Sequence, residues 1–319
     1  MRIFLSFVCV VMGGSFCLAE TLADRMKAVP VDESQGRVGV GVLDLQTGES
    51  WFRQGQRGFP MQSVFKLPLA IAVLKQVDAG KLSLDQKVIV SPADFAPAWS
   101  PLRDSLKGGS GEYTVRELID HAMSVSDNTA ADVLLKLVGG PQAVSADIKE
   151  HNIRVDRSER ELQPESVGLS RFKPEFADPA VFATAIKAVP IEAKKAAVEK
   201  YLNDPRDTST PEGMVTLLRL LYQGKLLSAK STELLLQIMK DSSTGQNRLR
   251  AGLPSGWELA HKTGTGFEIL GITTAANDVG IAIGPEKRAV VIVVFLAGSR
   301  ANEATRDRLM ADFAAAATR

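Results

Sequence analysis

Apolar residues recur on two different periods along this 319-residue chain, and the change of period divides it. Near the start, Val38, Val40 and Val42 alternate with glycines, Gln46-Thr47-Gly48-Glu49 supplies a turn, and Ser50-Trp51-Phe52 returns. That pattern predicts a β-hairpin over 37–53. The next signal is helical: Leu67, Ile71, Leu74 and Val77 share one face, and Gly80 ends the run. Pro68 falls in the first turn, where a missing N–H costs little. Thr114-Val115-Arg116-Glu117 is a capping box opening a second helix. Ala130 to Val138, closed by Gly139-Gly140, reads as a third, and Thr210-Pro211 caps a fourth that carries Leu217, Leu218 and Leu220. Beyond residue 255 strands return as Trp257–Ala260, Val279–Ile283 and Ala289–Ala297, followed by an Ala-rich amphipathic helix from about Ala301 to Ala317.

Two strands at the start and three at the end predict one five-stranded sheet flanked by helices, an α/β (α+β) domain over 20–60 and 208–319. An all-helical domain, 61–207, is inserted between them. The first nineteen residues stand apart. Arg2, an apolar run and Cys17-Leu18-Ala19 read as a secretory signal peptide cut after Ala19, and the product is expected in the periplasm or outside the cell. A lipoprotein signal needs a small residue before the cysteine, and Phe16 stands there. No later segment is long and apolar enough to span a bilayer.

Composition narrows the function classes. With 45% hydrophobic and 24% charged residues the chain is an ordinary globular sequence. Lys+Arg 38 against Asp+Glu 37 provides no basic footprint, so no nucleic-acid partner is expected. Both cysteines, Cys9 and Cys17, fall within the leader. His121, His151 and His261 have no zinc-ligand spacing, so neither a metal nor an organic cofactor is expected.

Three short motifs are candidates for chemistry. Ser63-Val64-Phe65-Lys66 opens the first helix, and a lysine three residues on lies on the serine's face, within reach of its proton. The free N–H groups of a helix start suit an oxyanion. Ser126-Asp127-Asn128 falls between two helices, where a turn with a cap would look the same. Lys262-Thr263-Gly264 ends the first late strand, where an edge lysine before a turn is the plain alternative. Each motif is ordinary alone; the three in this order and context are not.

Together they resemble the class A serine β-lactamases, with motifs that the penicillin-binding proteins share. The likeness covers nearly all of the chain after residue 19, and the fold it implies is a five-stranded antiparallel sheet with an inserted helical domain. By that resemblance Ser63 is the nucleophile, Lys66 assists its deprotonation, and Ser126 relays a proton to the lactam nitrogen. Asn128 positions the substrate's side-chain amide, Lys262 and Thr263 meet its carboxylate, and the backbone N–H groups of Ser63 and Thr265 form the oxyanion hole beside Gly264. Arg157-Ser158-Glu159-Arg160-Glu161-Leu162-Gln163 resembles the family's Ω-loop motif. It makes Glu159 the base for the hydrolytic water, with Arg157 and Asp207 an ion pair at the loop's neck.

Two departures stand out. Gln163 occupies the place of an asparagine that helps hold the water. From Gln163 to Asp207 the chain runs 44 positions where the family pattern has about nine, so the Ω loop, 157–207, is enlarged by roughly 35 residues. Residues 178–202 read as helical with a break at Pro190, and the insertion, about 168–202, is expected to be a helical appendage beside the active-site mouth or an outward decoration.

Substrate range rests on three further positions. Trp99 matches the family's aromatic wall at the cleft entrance. No arginine occurs over 268–283, and Arg248 matches the alternative placement of the arginine that meets the substrate carboxylate. The long turn after Thr265-Gly266 resembles variants that accept bulky oxyimino cephalosporins. The expectation is a monomeric β-lactamase acting on penicillins and cephalosporins through a serine acyl-enzyme. A D-Ala-D-Ala peptidase or penicillin-binding protein, a β-lactam sensor without turnover and a serine esterase are the alternatives.

Overall fold

The computed structural model describes residues 20–319, and the expected signal peptide lies outside the described residues. The strands are β1 (Arg37–Asp44), β2 (Ser50–Arg53), β3 (Phe59–Pro60), β4 (Lys87–Val90), β5 (Gly111–Thr114), β6 (Thr208–Ser209), β7 (Glu258–Thr265), β8 (Glu268–Ile269), β9 (Ile272–Ile283) and β10 (Ala289–Ser299). The main sheet runs β2-β1-β10-β9-β7, antiparallel throughout, with the two-residue β8 as a sixth strand on β9. Strands from both ends of the chain thus share one sheet. The pairs β3–β6 and β4–β5 stand outside it.

The Val-Gly alternation of β1 has a packing cause. Val38, Val40 and Val42 face a core with Met310 and Phe313 of the C-terminal helix Glu303–Thr318. On the other face, a Cβ at Gly39 would come within 2.4 Å of the Phe59 ring, and one at Gly41 within 2.7 Å of Val215. The glycines let Phe59 and the helix Pro211–Tyr222 lie directly on the sheet. β10, buried almost throughout, serves both layers: Val290, Ile292 and Val294 belong to the first core, and Val291, Val293 and Phe295 to the second. That second core continues into the helices Lys66–Asp78, Val115–Ser124 and Asn128–Leu137.

Two strands outrun their sequence signals. β7 spans Glu258–Thr265, five residues past the apolar signal Trp257–Ala260 and through Lys262-Thr263-Gly264, the motif expected at its end, and β9 begins at Ile272 rather than at 279. These segments are polar or small, so hydrophobic alternation misses them. Ladder bonds to neighbouring strands supply their stability instead. Among the described residues, no helix is long and apolar enough to cross a membrane.

The inserted residues form the helices Pro179–Ala188 and Ile191–Asn203, with Pro190 capping the second. They build a small core of their own: Phe176, Phe182 and Val198 pack with Val167 of the preceding loop and Ile269 of β8. At the neck, Arg157 Nε meets Asp207 Oδ2 at 2.6 Å, both side chains buried. The pair belongs to a wider network: Glu165 receives hydrogen bonds from Arg157 at 2.7 Å, Lys200 at 2.8 Å and Arg206 at 2.9 Å.

Burial works to raise the Glu165 pKa, but the hydrogen bonds from Lys200, Arg157 and Arg206 outweigh it and hold the carboxyl at about 2. A carboxyl with a pKa lower folded than unfolded stabilises above its unfolded value of roughly 4.3, and that contribution is lost as pH falls through the folded value. Glu165→Gln should therefore lower the melting temperature at neutral pH and flatten its acid decline between about pH 5 and 2. Thermal unfolding followed by circular dichroism checks this; wild-type and variant curves that run parallel would refute it.

Candidate active site

Ser63 does not open an α-helix, as the sequence suggests. It sits in a 3-10 turn, Gln62–Phe65, ahead of the helix Lys66–Asp78. Gln62 adopts φ 47°, which bends the chain and tightens the turn before the helix proper. Lys66 still lies over the serine, with Nζ 3.2 Å from Ser63 Oγ. That amine also donates to Asn128 Oδ1 at 2.7 Å and to the Ser126 carbonyl at 2.8 Å, and pairs with Glu159 Oε1 at 3.0 Å.

Ser126 and Asn128 are presented by one turn. Asp127 caps the helix Asn128–Leu137, accepting from the Ala130 N–H at 2.9 Å, and anchors the preceding segment through the Leu102 N–H at 2.7 Å and Ser100 Oγ at 3.0 Å. Ser126, at φ 62°, turns its hydroxyl toward β7, where Lys262 Nζ donates to Oγ at 3.0 Å. Burial first, and the Lys66 charge second, push the Lys262 pKa well below that of a free lysine. Thr263, the next residue, shares a 2.7 Å hydrogen bond with Thr244 Oγ1.

Gly264 brings β7 against the serine turn. A Cβ there would lie 2.4 Å from the Met61 carbonyl and 3.2 Å from Ser63 N. Only glycine allows the backbone before Thr265 to approach the Ser63 backbone this closely.

Glu159 begins the helix Glu159–Ser166 and is fully buried. Ser158 and Glu161 form a capping box, and Asp132 accepts from the backbone N–H of Glu159 at 2.7 Å and of Arg160 at 3.1 Å. Gln163 donates to Glu159 Oε2 at 2.5 Å, so the longer side chain does reach the carboxylate. Glu159 Oε1 meets Lys66 at ion-pair distance but without hydrogen-bond direction, which leaves it an acceptor site.

These groups surround a cavity of about 330 Å³. Ser63, Ser126, Asn128, Gln163, Arg248 and the run Thr263-Gly264-Thr265 line it, and Lys66, Glu159 and Lys262 are buried behind its wall. Trp99 also lines it, 61% exposed with its indole N–H on the Val125 carbonyl at 2.8 Å, so it is an entrance wall and not a core residue. Arg248 is held by Asp307 at 3.0 Å and donates to Thr265 Oγ1 at 2.9 Å. The lining also includes Gly266 and, beyond what motif reading singled out, Ala98, Thr244, Gly245 and Phe267. Phe267 packs on Phe182 of the insertion, ring centres 6.1 Å apart, so the insertion stands beside the mouth. A wider groove of about 1410 Å³ beside the C-terminal helix contains none of the serine and lysine groups, and the chemistry selects the smaller cavity. Among the described residues, no group of His, Cys, Asp and Glu could hold a metal.

Comparison with known proteins follows the geometry. A model described as the beta-lactamase enzyme family matches residues 21–319. The chain is 34% identical over 294 residues to the extended-spectrum beta-lactamase PER-1 of Pseudomonas aeruginosa, covering 92% of this chain and 85% of that protein. It is 32% identical over 282 residues to beta-lactamase VEB-1 of the same organism, covering 87% and 83%. Among solved structures it superposes on a beta-lactamase from Chitinophaga pinensis with TM-score 0.72 at 33% identity, and on TLA-3 extended-spectrum beta-lactamase with TM-score 0.74 at 29% identity. Each covers 92% of this chain and 96% of the other.

Asp132 carries a prediction that needs no substrate. Burial first, and the neighbouring Glu159 carboxylate second, push its pKa up to about 7. Carbon NMR titration should place the Asp132 carboxyl near that value and move it downward in Glu159→Gln. An unmoved midpoint would show that the two carboxyls do not interact.

Proposed function

The chain belongs to the beta-lactamase enzyme family, a hydrolase acting on β-lactams, and from that membership we propose how its cleft performs the reaction. The observation that carries the reading is the buried line Ser63 Oγ, Lys66 Nζ and Glu159 Oε1, at 3.2 and 3.0 Å, at the wall of a cavity with room for a bicyclic β-lactam. Ser63 Oγ attacks the lactam carbonyl while its proton passes to the Lys66–Glu159 pair. Negative charge develops on the carbonyl oxygen between the N–H groups of Ser63 and Thr265. Ser126, hydrogen-bonded to Lys262, gives its proton to the lactam nitrogen as the C–N bond breaks and takes back the proton that Ser63 gave to the Lys66–Glu159 pair, which leaves an ester on Ser63 and Glu159 ionised again. A lysine with a depressed pKa suits that relay.

Deacylation reverses the roles. Glu159 takes a proton from a water that attacks the ester, the C–O bond to Ser63 breaks, and Ser63 recovers its proton. Asn128 holds the substrate's side-chain amide, Arg248 and Thr263 its carboxylate, and Trp99 the entrance. The hydrolytic product is inactive as an antibiotic, so the activity confers resistance. The cleft lies between the sheet part, 20–60 and 208–319, and the helical part, 61–207. We place the enzyme, as a monomer, in the periplasm or outside the cell after loss of 1–19.

Residues 20–319 should turn over nitrocefin many times per molecule. Ser63→Ala should abolish the reaction, and Glu159→Ala should stall as an acyl-enzyme visible by intact mass. A single stoichiometric burst from the wild type would favour a penicillin-binding protein or sensor instead. The segment 266–271 between β7 and β9, which carries β8, and the extended-spectrum relatives support acceptance of bulky oxyimino cephalosporins. Cefotaxime and ceftazidime should be hydrolysed alongside benzylpenicillin; rejection of both would overturn that range.

A further inference from the structure

We infer that Tyr201, carried by the inserted helix, is a positioning residue for the hydrolytic half of the reaction, acting through Gln62. The inference rests on the acyl-enzyme reading above. Tyr201 is buried at the end of the helix Ile191–Asn203, and its hydroxyl accepts a hydrogen bond from Gln62 Nε2 at 2.6 Å. Gln62, itself buried, directly precedes Ser63. Its other end, Oε1, accepts from Gln163 Nε2 at 3.4 Å, and the same Gln163 nitrogen donates to Glu159 Oε2 at 2.5 Å.

The polarity of this chain is set at Glu159, whose carboxylate only accepts, and Tyr201 completes it as the acceptor for Gln62 Nε2. An amide torsion has two nearly equivalent settings, so a buried glutamine takes the one its neighbours impose. With the phenol oxygen accepting from Nε2, Gln62 must turn Oε1 toward Gln163. Both N–H bonds of Gln163 are then spent, on Gln62 and on Glu159. Its side-chain Oε1 takes no hydrogen bond from a described residue, and Gln163 lines the cavity. A water between that oxygen and Glu159 Oε1 would donate to both, which is the geometry a general base needs. Without the phenol oxygen, buried Gln62 Nε2 loses its acceptor and Gln62 is held by Gln163 alone, and any flip would set its NH2 against the NH2 of Gln163. Two donors in contact would turn Gln163 away and loosen the water.

The mini-core explains why the tyrosine stays in place. Val198 and Phe182 of the two inserted helices pack with Val167 and Ile269, so the helix is clamped between the Ω loop and the β8–β9 hairpin. The insertion thus reaches the reacting groups from behind the serine turn as well as from the mouth.

The test is steady-state kinetics with benzylpenicillin and nitrocefin, with intact-mass detection of acyl-enzyme, on full-length mature protein carrying Tyr201→Phe, Gln62→Met or both. In an acyl-enzyme scheme kcat/KM reports acylation alone, so slowed deacylation lowers kcat and KM together. We expect kcat to fall about tenfold or more in each single variant, kcat/KM to stay within about twofold, and acyl-enzyme to accumulate. The double variant should be no slower than Gln62→Met, since the two residues act in one chain. Preserved kcat/KM also certifies folding of the acylation site, and Gln62→Met decides the matter if Tyr201→Phe does not fold. Unchanged kcat in Tyr201→Phe, equal losses in kcat and kcat/KM without acyl-enzyme, or additive losses in the double variant would each overturn the inference. A wild type that acylates once and stops would overturn the hydrolytic reading itself, and so is distinguishable.

Discussion

The ion pair between Lys66 and Glu159, 3.0 Å apart and fully buried on both sides, is the constraint that the rest of the cleft serves. Removing one member of a buried pair leaves a bare charge and typically costs about 3–5 kcal/mol, so the surroundings must hold both. Lys66 is fixed by the helix behind Ser63 and by hydrogen bonds from its ammonium to Asn128 and the Ser126 carbonyl. Glu159 is fixed by a helix start that Ser158 and Asp132 cap, on a loop whose neck Arg157 and Asp207 close. Lys262 adds a second buried lysine nearby, and burial together with the Lys66 charge pushes its pKa well below that of a free lysine.

The enlarged loop fits this logic because it brings its own core. An added segment of this length would raise the entropy of the loop that carries Glu159 unless something ordered it. Phe176, Phe182 and Val198 supply that order, and Lys200 ties the second helix to Glu165 in the neck network. The insertion is therefore a brace on the loop and a wall of the cleft at once, through Phe267 on one side and Gln62 on the other.

Much of the site was legible from residue order. Ser63, Lys66, Ser126, Asn128, Lys262 and Thr263 come from three stretches of chain that the structure gathers around one cavity, and Arg157 and Asp207 meet as the family resemblance implied. Their motifs are local because each needs a turn or a helix face to aim a side chain. Thr244, Phe267, Gln62 and Tyr201 left no such trace. Each matters through a partner remote in sequence: Thr263 for Thr244, Phe182 for Phe267, and Tyr201 for Gln62, 139 residues away.

The fold divides in the same way. By itself the sequence determined the periodic elements, the β1–β2 hairpin, the strand β10, the capped helices and the break at Pro190, because burial of one face and satisfaction of helix ends are written in neighbouring residues. Tertiary structure alone decided the polar first half of β9 and the short pairs β3–β6 and β4–β5. It also decided where the inserted helices dock. Those features draw their stability from hydrogen bonds and packing between distant segments, and no local pattern carries that information until the chain has closed on itself.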